Sequence, residues 1–139
     1  MTSKYSEEFM IIALLVAQNR MRSGLGQPFG AVIVLDNEIV SSGADKVAAL
    51  HDPSAHAEMI AIRTACSTLE TPTLSDCVLY TSCEPCLMCL AAARLAGISE
   101  IFFGASLTEA SRLSHETFPS YGRTKNIKPF PDMYVKQAM

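Results

Sequence analysis

Val78-Leu79-Tyr80-Thr81, then Cys86-Leu87-Met88-Cys89-Leu90-Ala91-Ala92-Ala93-Arg94-Leu95 stopped at Gly97, then Glu100-Ile101-Phe102-Phe103-Gly104, reads as strand, helix, strand. The outer two runs are short and mostly apolar, which suits buried strands, while the middle run ends at a glycine as helices do. Upstream, Asp52-Pro53-Ser54 introduces a helical stretch over residues 55–69. Residues 31–35 and 39–42 are β-rich runs around Asp36-Asn37-Glu38, a hairpin signal. Ser6 with Glu7 and Glu8 caps a first helix that should run to about Arg22, before Ser23-Gly24. Its apolar residues, Phe9, Met10, Ile11, Ile12, Leu14, Leu15 and Val16, cover most of the circumference and imply burial on several sides.

The order α-ββ-α-β-α-β predicts an α/β fold, a mixed sheet with helices on both faces in an α/β/α sandwich. After Ala105 the pattern weakens: residues 108–114 suggest a helix, and residues 118–139, rich in Pro, Gly and Lys, carry no readable period. With 139 residues and 49% apolar content, the expectation is one domain over residues 1–139 with a sizeable core. The apolar run at residues 9–17 follows Lys4, as a signal peptide would, but Glu7 and Glu8 stand where cations belong. No small-residue cleavage site follows, and the run is too short to span a bilayer, so a buried helix is expected and no membrane partner.

The net charge is −3. Proteins that grip a nucleic-acid backbone carry a basic face, so the balance favours a small-molecule substrate. Five cysteines, three of them within residues 83–89, do not make a dispersed disulfide framework. Reduced thiols in the cytoplasm are expected.

The chemistry concentrates in His56-Ala57-Glu58 and Pro85-Cys86-Leu87-Met88-Cys89. One imidazole and two thiolates suit a tetrahedral Zn²⁺ whose fourth position is left to water. Glu58, two residues from His56, is placed to share a proton with that water rather than to act as a ligand. The split pattern H-x-E…P-C-x-x-C is that of zinc-dependent base deaminases. Each fragment opens a helix, where free backbone N–H groups favour a thiolate at Cys86. His56 and Glu58 can face one ion only if His56 sits at the irregular start of its helix, because residues two apart on a regular helix diverge. Other readings of the Cys pair are a redox C-x-x-C, a closed structural zinc site with Cys83 as fourth ligand, or an iron–sulfur cluster. Thiol redox leaves His56 and Glu58 without a role, and the cluster lacks a fourth suitably spaced Cys. Cys66 and Cys77 read as core residues.

Over roughly three-quarters of its length the chain resembles the cytidine and nucleobase deaminase superfamily. The resemblance rests on Pro28-Phe29-Gly30-Ala31-Val32-Ile33-Val34, Asp52-Pro53-Ser54-Ala55-His56-Ala57-Glu58 and Tyr80-Thr81-Ser82-Cys83-Glu84-Pro85-Cys86-Leu87-Met88-Cys89. Within the superfamily, Ile62-Arg63-Thr64-Ala65-Cys66 and the Thr-Ser-Cys before Glu-Pro-Cys are most similar to guanine deaminases of the bacterial type. The resemblance implies a central five-stranded mixed sheet, zinc on His56, Cys86 and Cys89, Glu58 as proton shuttle, and a homodimer. It also places the Ala57 N–H and the Phe29 ring near the substrate. Where relatives carry an Asn that hydrogen-bonds the substrate ring, this chain has Asp45, an acceptor only when ionised; a solvated turn residue is the competing reading. Glu116 lies where these enzymes bring an acid over the substrate, with a surface charge as the alternative. His51 and His115 read as surface residues.

Three functions stand at this point: a deaminase of a free base or azine, guanine first, with ammeline-type triazines as further substrates and cytosine or cytidine as an alternative; a tRNA-editing adenosine deaminase; and a non-catalytic zinc-stabilised oligomer. The second needs a basic surface, and Arg123, Lys125 and Lys128 are the visible cluster. The third has no use for Glu58.

Overall fold

A computed structural model of the chain describes residues 5–106 and 132–138. Helix α1 (Glu7–Ser23) starts after Ser6, whose backbone is extended and whose N–H donates to the Tyr80 hydroxyl at 2.8 Å. It ends where Gly24 takes a left-handed φ of 71° and returns its N–H to the Met21 carbonyl. Strands β1 (Gly30–Leu35) and β2 (Glu38–Ala44) form the expected hairpin. Asp36 and Asn37 both have positive φ, 49° and 67°, as a two-residue turn matched to strand twist requires. A short helix α2 (Val47–Leu50) follows, then α3 (Ala57–Leu69), β3 (Cys77–Cys83), α4 (Leu87–Leu95), β4 (Glu100–Ala105) and β5 (Tyr134–Gln137).

The five strands make one sheet in the order β2-β1-β3-β4-β5. β1 is antiparallel to both β2 and β3, whereas β3–β4 and β4–β5 are parallel. This is the five-stranded mixed sheet flanked by helices that the sequence implied. Alternation along the strands sorts the core. Val32, Val34, Val78, Tyr80 and Phe102 pack with Phe9, Met10 and Ala13 of α1. Ala31, Ile33, Leu79 and Ile101 pack on the other face with α3 and α4 through Ala61, Ala65, Leu90 and Ala93.

Two expectations change. Helix α1 is not buried on several sides: Phe9, Met10, Ala13 and Ala17 face the sheet, while Ile11 and Leu15 are half exposed. One helix lying on one sheet face can bury only one stripe, whatever the composition of its far side. The stretch before the zinc-type motif also holds a helical turn, α2, that the sequence pattern did not suggest. The helix expected at residues 108–114 lies outside the described residues.

Gly43 sets how closely α3 approaches the sheet. A Cβ there would come within 2.3 Å of the Ala57 carbonyl oxygen and 2.6 Å of the Ala61 nitrogen, both backbone atoms with no freedom to yield. Gly43→Ala should cost about 1–3 kcal/mol by overpacking and shift the first turn of α3. A thermal melt checks the first effect, and a weakened metal affinity would report the second. An unchanged melt would show that α3 slides freely on β2.

Candidate metal centre

His56 is the residue immediately before α3, with φ −67° and ψ 157°, so its backbone is extended rather than helical. This lets its ring and the Glu58 side chain, in the first turn, reach one place despite their spacing. The loop leading to His56 is braced from both sides. Asp52 Oδ1 accepts hydrogen bonds from the Ser54 N–H at 2.9 Å and hydroxyl at 2.7 Å, and Arg63 of α3 donates to the Ser54 hydroxyl at 3.1 Å. Cys86 occupies the equivalent position before α4, again extended, and Cys89 lies in that helix's first turn.

The two helix starts bring His56, Cys86 and Cys89 together, their ligand atoms all within 4.8 Å of one another. His56 Nδ1 is 3.6 Å from the Cys86 sulfur and 3.7 Å from the Cys89 sulfur, and the sulfurs are 3.6 Å apart. Bonds of about 2.3 Å to sulfur and about 2.05 Å to nitrogen around a tetrahedral Zn²⁺ put S···S edges near ~3.8 Å and N···S edges near ~3.6 Å. The triangle therefore has the size of one face of such a tetrahedron, and its donors suit that ion. The sulfur separation is far beyond a disulfide bond. Cys83 does not join the cluster; it is a buried residue at the end of β3 whose thiol burial pushes well up. Cys77 is buried as expected, and Cys66 is partly buried against the core on the α3 face.

Without a cation the donors share protons among themselves. Cys86 is drawn down to about 4, first by the hydrogen bond from the Cys89 thiol and also by His56. Cys89 is pushed up, first by that same shared bond and then by burial. His56 is raised, first by its hydrogen bond with the Cys86 sulfur. One thiol of the pair ionises easily and the other holds its proton.

Glu58 is only 6% exposed. Burial raises its pKa, opposed by a hydrogen bond from the Thr81 hydroxyl and a contact with the Cys89 thiol. The Thr81 bond to Oε1 measures 2.7 Å. The carboxylate thus lies against the donor cluster, anchored to the central strand. Thr81 was not singled out in the sequence; its one signal was a hydroxyl on the same face as Leu79 in a wholly buried strand, and the hydroxyls of Tyr80 and Ser82 beside it diluted that signal.

Asp45, just beyond β2, is 4% exposed, which overturns the solvated-turn reading. Its N–H donates to the Phe29 carbonyl at 3.3 Å, its carbonyl accepts from Arg20 Nε at 2.7 Å, and its Oδ2 accepts from the Gln27 N–H at 3.1 Å. It is close enough to His56 for its charge to bias that ring. Phe29 is half-buried and packs against the α3–α4 side of the core. Ala57, fully buried, is the first residue of α3, where a backbone N–H has no intrahelical acceptor. His51 is exposed, at a left-handed turn that ends α2. Glu116, His115 and the cluster Arg123, Lys125 and Lys128 lie outside the described residues. No described helix is long and apolar enough to cross a membrane.

Residues 3–105 match the family described as the cytidine and deoxycytidylate deaminase zinc-binding region. The chain is similar to the guanine deaminase of Bacillus subtilis (strain 168), 47% identical over 105 residues that make up 76% of this chain and 67% of that protein. It is also similar to the tRNA-specific adenosine deaminase of Aquifex aeolicus, 43% identical over 99 residues, 71% of this chain and 65% of that one. The matched part thus spans about two thirds of the length of these curated relatives. Among solved structures, the X-ray structure of guanine deaminase from Bacillus subtilis superposes with a TM-score of 0.77 at 39% identity, covering 91% of this chain and 83% of the other.

Proposed function

This chain belongs to the cytidine and deoxycytidylate deaminase zinc-binding family, and on that footing we propose that it is a zinc-dependent hydrolytic deaminase of a free amino-substituted base or azine, guanine first. Guanine and water would give xanthine and ammonia. The observation that carries this reading is the buried Glu58 carboxylate set against a three-donor cluster, His56, Cys86 and Cys89. A purely structural site has no use for such a group.

His56, Cys86 and Cys89 would hold the zinc. When bound, the ion would supply the Lewis acidity that lowers the pKa of water toward roughly 7. Glu58 takes one proton of the attacking water and passes it to the ring nitrogen beside the carbon that carries the amine; it then takes the remaining proton from the hydroxyl now on that carbon and gives it to the amine, which departs as ammonia as the C–N bond breaks. The Ala57 N–H offers a donor to an acceptor on the substrate, and the Phe29 ring offers an apolar wall. Asp45, held through Oδ2 by the Gln27 N–H, would turn its carboxylate toward one edge of the substrate ring. A carboxylate accepts hydrogen bonds, so this edge should carry N–H groups, as 2-amino azines such as guanine and ammeline do. Glu116 is the matching acid proposed from the later segment. The reading includes the homodimer that the resemblance implies, with the cytoplasmic setting and small-molecule substrate suggested by the cysteine pattern and the net charge.

A second reading, tRNA adenosine deamination, is favoured by the 43% identity to the Aquifex enzyme. The charge of −3 weighs against it, because phosphate contacts want a basic face. Ammonia release should be measured across guanine, ammeline, cytosine, adenine, their nucleosides and a tRNA anticodon stem-loop. Guanine or an amino-triazine should lead; release from the tRNA adenosine alone would replace the first reading with the second. Asp45→Asn, which restores a donor, should change the ratio of kcat/KM between guanine and cytosine by about tenfold or more. An unchanged ratio would place Asp45 outside the substrate site.

A further inference from the structure

We propose that Thr81 is a positioning residue for the proton carrier: its hydroxyl fixes which oxygen of Glu58 is committed to the protein and which is left for the reacting groups. The proposal rests on the deaminase reading and adds a residue to it. Thr81 sits in β3 between Val32's and Phe103's strands, paired with Ala31 on one side and Phe103 on the other, so its backbone is locked on both edges. The side chain is fully buried, on the α3-facing side of the strand together with Leu79.

Its oxygen has two acceptors within reach, Glu58 Oε1 at 2.7 Å and the Cys83 carbonyl at 3.2 Å. A hydroxyl has one hydrogen to give, and the shorter contact is to a carboxylate, which takes it as a charge-assisted bond. That bond ties Oε1 to the central strand of the sheet. The carboxylate plane can then no longer turn about its last torsion, and Oε2 is the oxygen presented to the donor cluster. The Cys83 carbonyl gives the hydroxyl a second resting place, so the threonine stays oriented if the carboxylate lets go. Side-chain methyl packing alone requires neither contact.

Thr81→Val keeps the shape and deletes the hydroxyl. In the zinc-loaded protein, with guanine as substrate, kcat should fall by about 10–100-fold, the scale of loss for a displaced catalytic group. KM should stay within about twofold and metal content should not change, since the Thr81 hydroxyl is engaged with Glu58 and the Cys83 carbonyl and is not one of the three donors. Thr81→Ser, which restores the donor without the methyl, should recover kcat to within about threefold. An unaltered kcat in Thr81→Val, or a Thr81→Ser protein as impaired as Thr81→Val, would overturn the proposal. Should the valine variant not fold, Thr81→Ala takes its place with the same two outcomes. A readout free of turnover separates this claim from the deaminase reading. The Tm shift caused by Thr81→Val should shrink to less than half in a Glu58→Ala background; equal shifts in the two backgrounds would show that the pair is not coupled, even if no tested compound releases ammonia.

Discussion

Glu58→Gln should retain its metal and its fold yet lose at least about 10³-fold in kcat, near the upper end of what a positioned acid–base group supplies. The amide is almost isosteric with the carboxylate and can still accept from Thr81 at Oε1. What it cannot do is take up a proton and hand it on. The variant also bears on stability, and the direction follows from burial. Glu58 in the metal-free protein has its pKa raised, mainly by desolvation. The folded chain therefore binds more protons than the unfolded chain between the two pKa values, and stability falls as pH rises through that interval. The contribution of the neutral carboxyl is fully present below the unfolded value and lost above the folded one. Glutamine is neutral at every pH and carries no such loss. Metal-free Glu58→Gln should accordingly melt no lower than the parent at pH 7, with any advantage vanishing in acid. Normal turnover in this variant would remove Glu58 from the mechanism.

Stripping the metal with a chelator should abolish turnover and lower Tm by about 10 °C or more, through loss of a ligand bound only by the folded state. The size follows from what an ion held there would join: the starts of α3 and α4, which approach each other through His56, Cys86 and Cys89. Re-addition of Zn²⁺ should restore both properties at about one ion per chain. The pH dependence has a definite sign. Cys86 ionises readily, but Cys89 holds its proton against the cation-free pair. Binding has to displace that proton and any on His56, so affinity should rise with pH and the metal should be released in acid. Competition with a chromogenic chelator between pH 6 and 8 measures this. A protein fully active after stringent metal removal would refute zinc dependence.

Much of this was legible in the sequence because the residues concerned carry information locally. The strand–helix–strand run over β3, α4 and β4 is apolar enough to name its own elements, and the Asp36-Asn37 turn declares the hairpin. Asp52-Pro53 foretold the irregular backbone that lets His56 and Glu58 point together. What stayed hidden depends on distant partners. Strand β5 is exposed apart from Val135, so no alternation marks it, and its place is set by hydrogen bonds such as Tyr134 N–H to the Ser99 carbonyl at 2.6 Å. The fifth strand came from resemblance, not from the pattern. Asp45 could not be read as buried because its cover, Arg20 and Gln27, comes from the end of α1 and the loop after it. Thr81 looked like a strand residue until Glu58 was seen beside it.

The pairing of β1 against both neighbours has one more effect. Gly30 aligns with Ala44 on β2, and Ala31 with Thr81 on β3, so the start of β1 and the ends of β2 and β3 share one rim of the sheet. Asp45, Phe29 and the segment leading to Cys86 all hang from that rim, while the Asp36-Asn37 turn occupies the opposite one. On the proposed function, replacements of Phe29 or Asp45 on the first rim should retune which molecule is turned over, whereas Gly43 on the same rim also carries the frame. Grafts at the Asp36-Asn37 turn, on the other rim, should alter robustness and leave turnover unchanged.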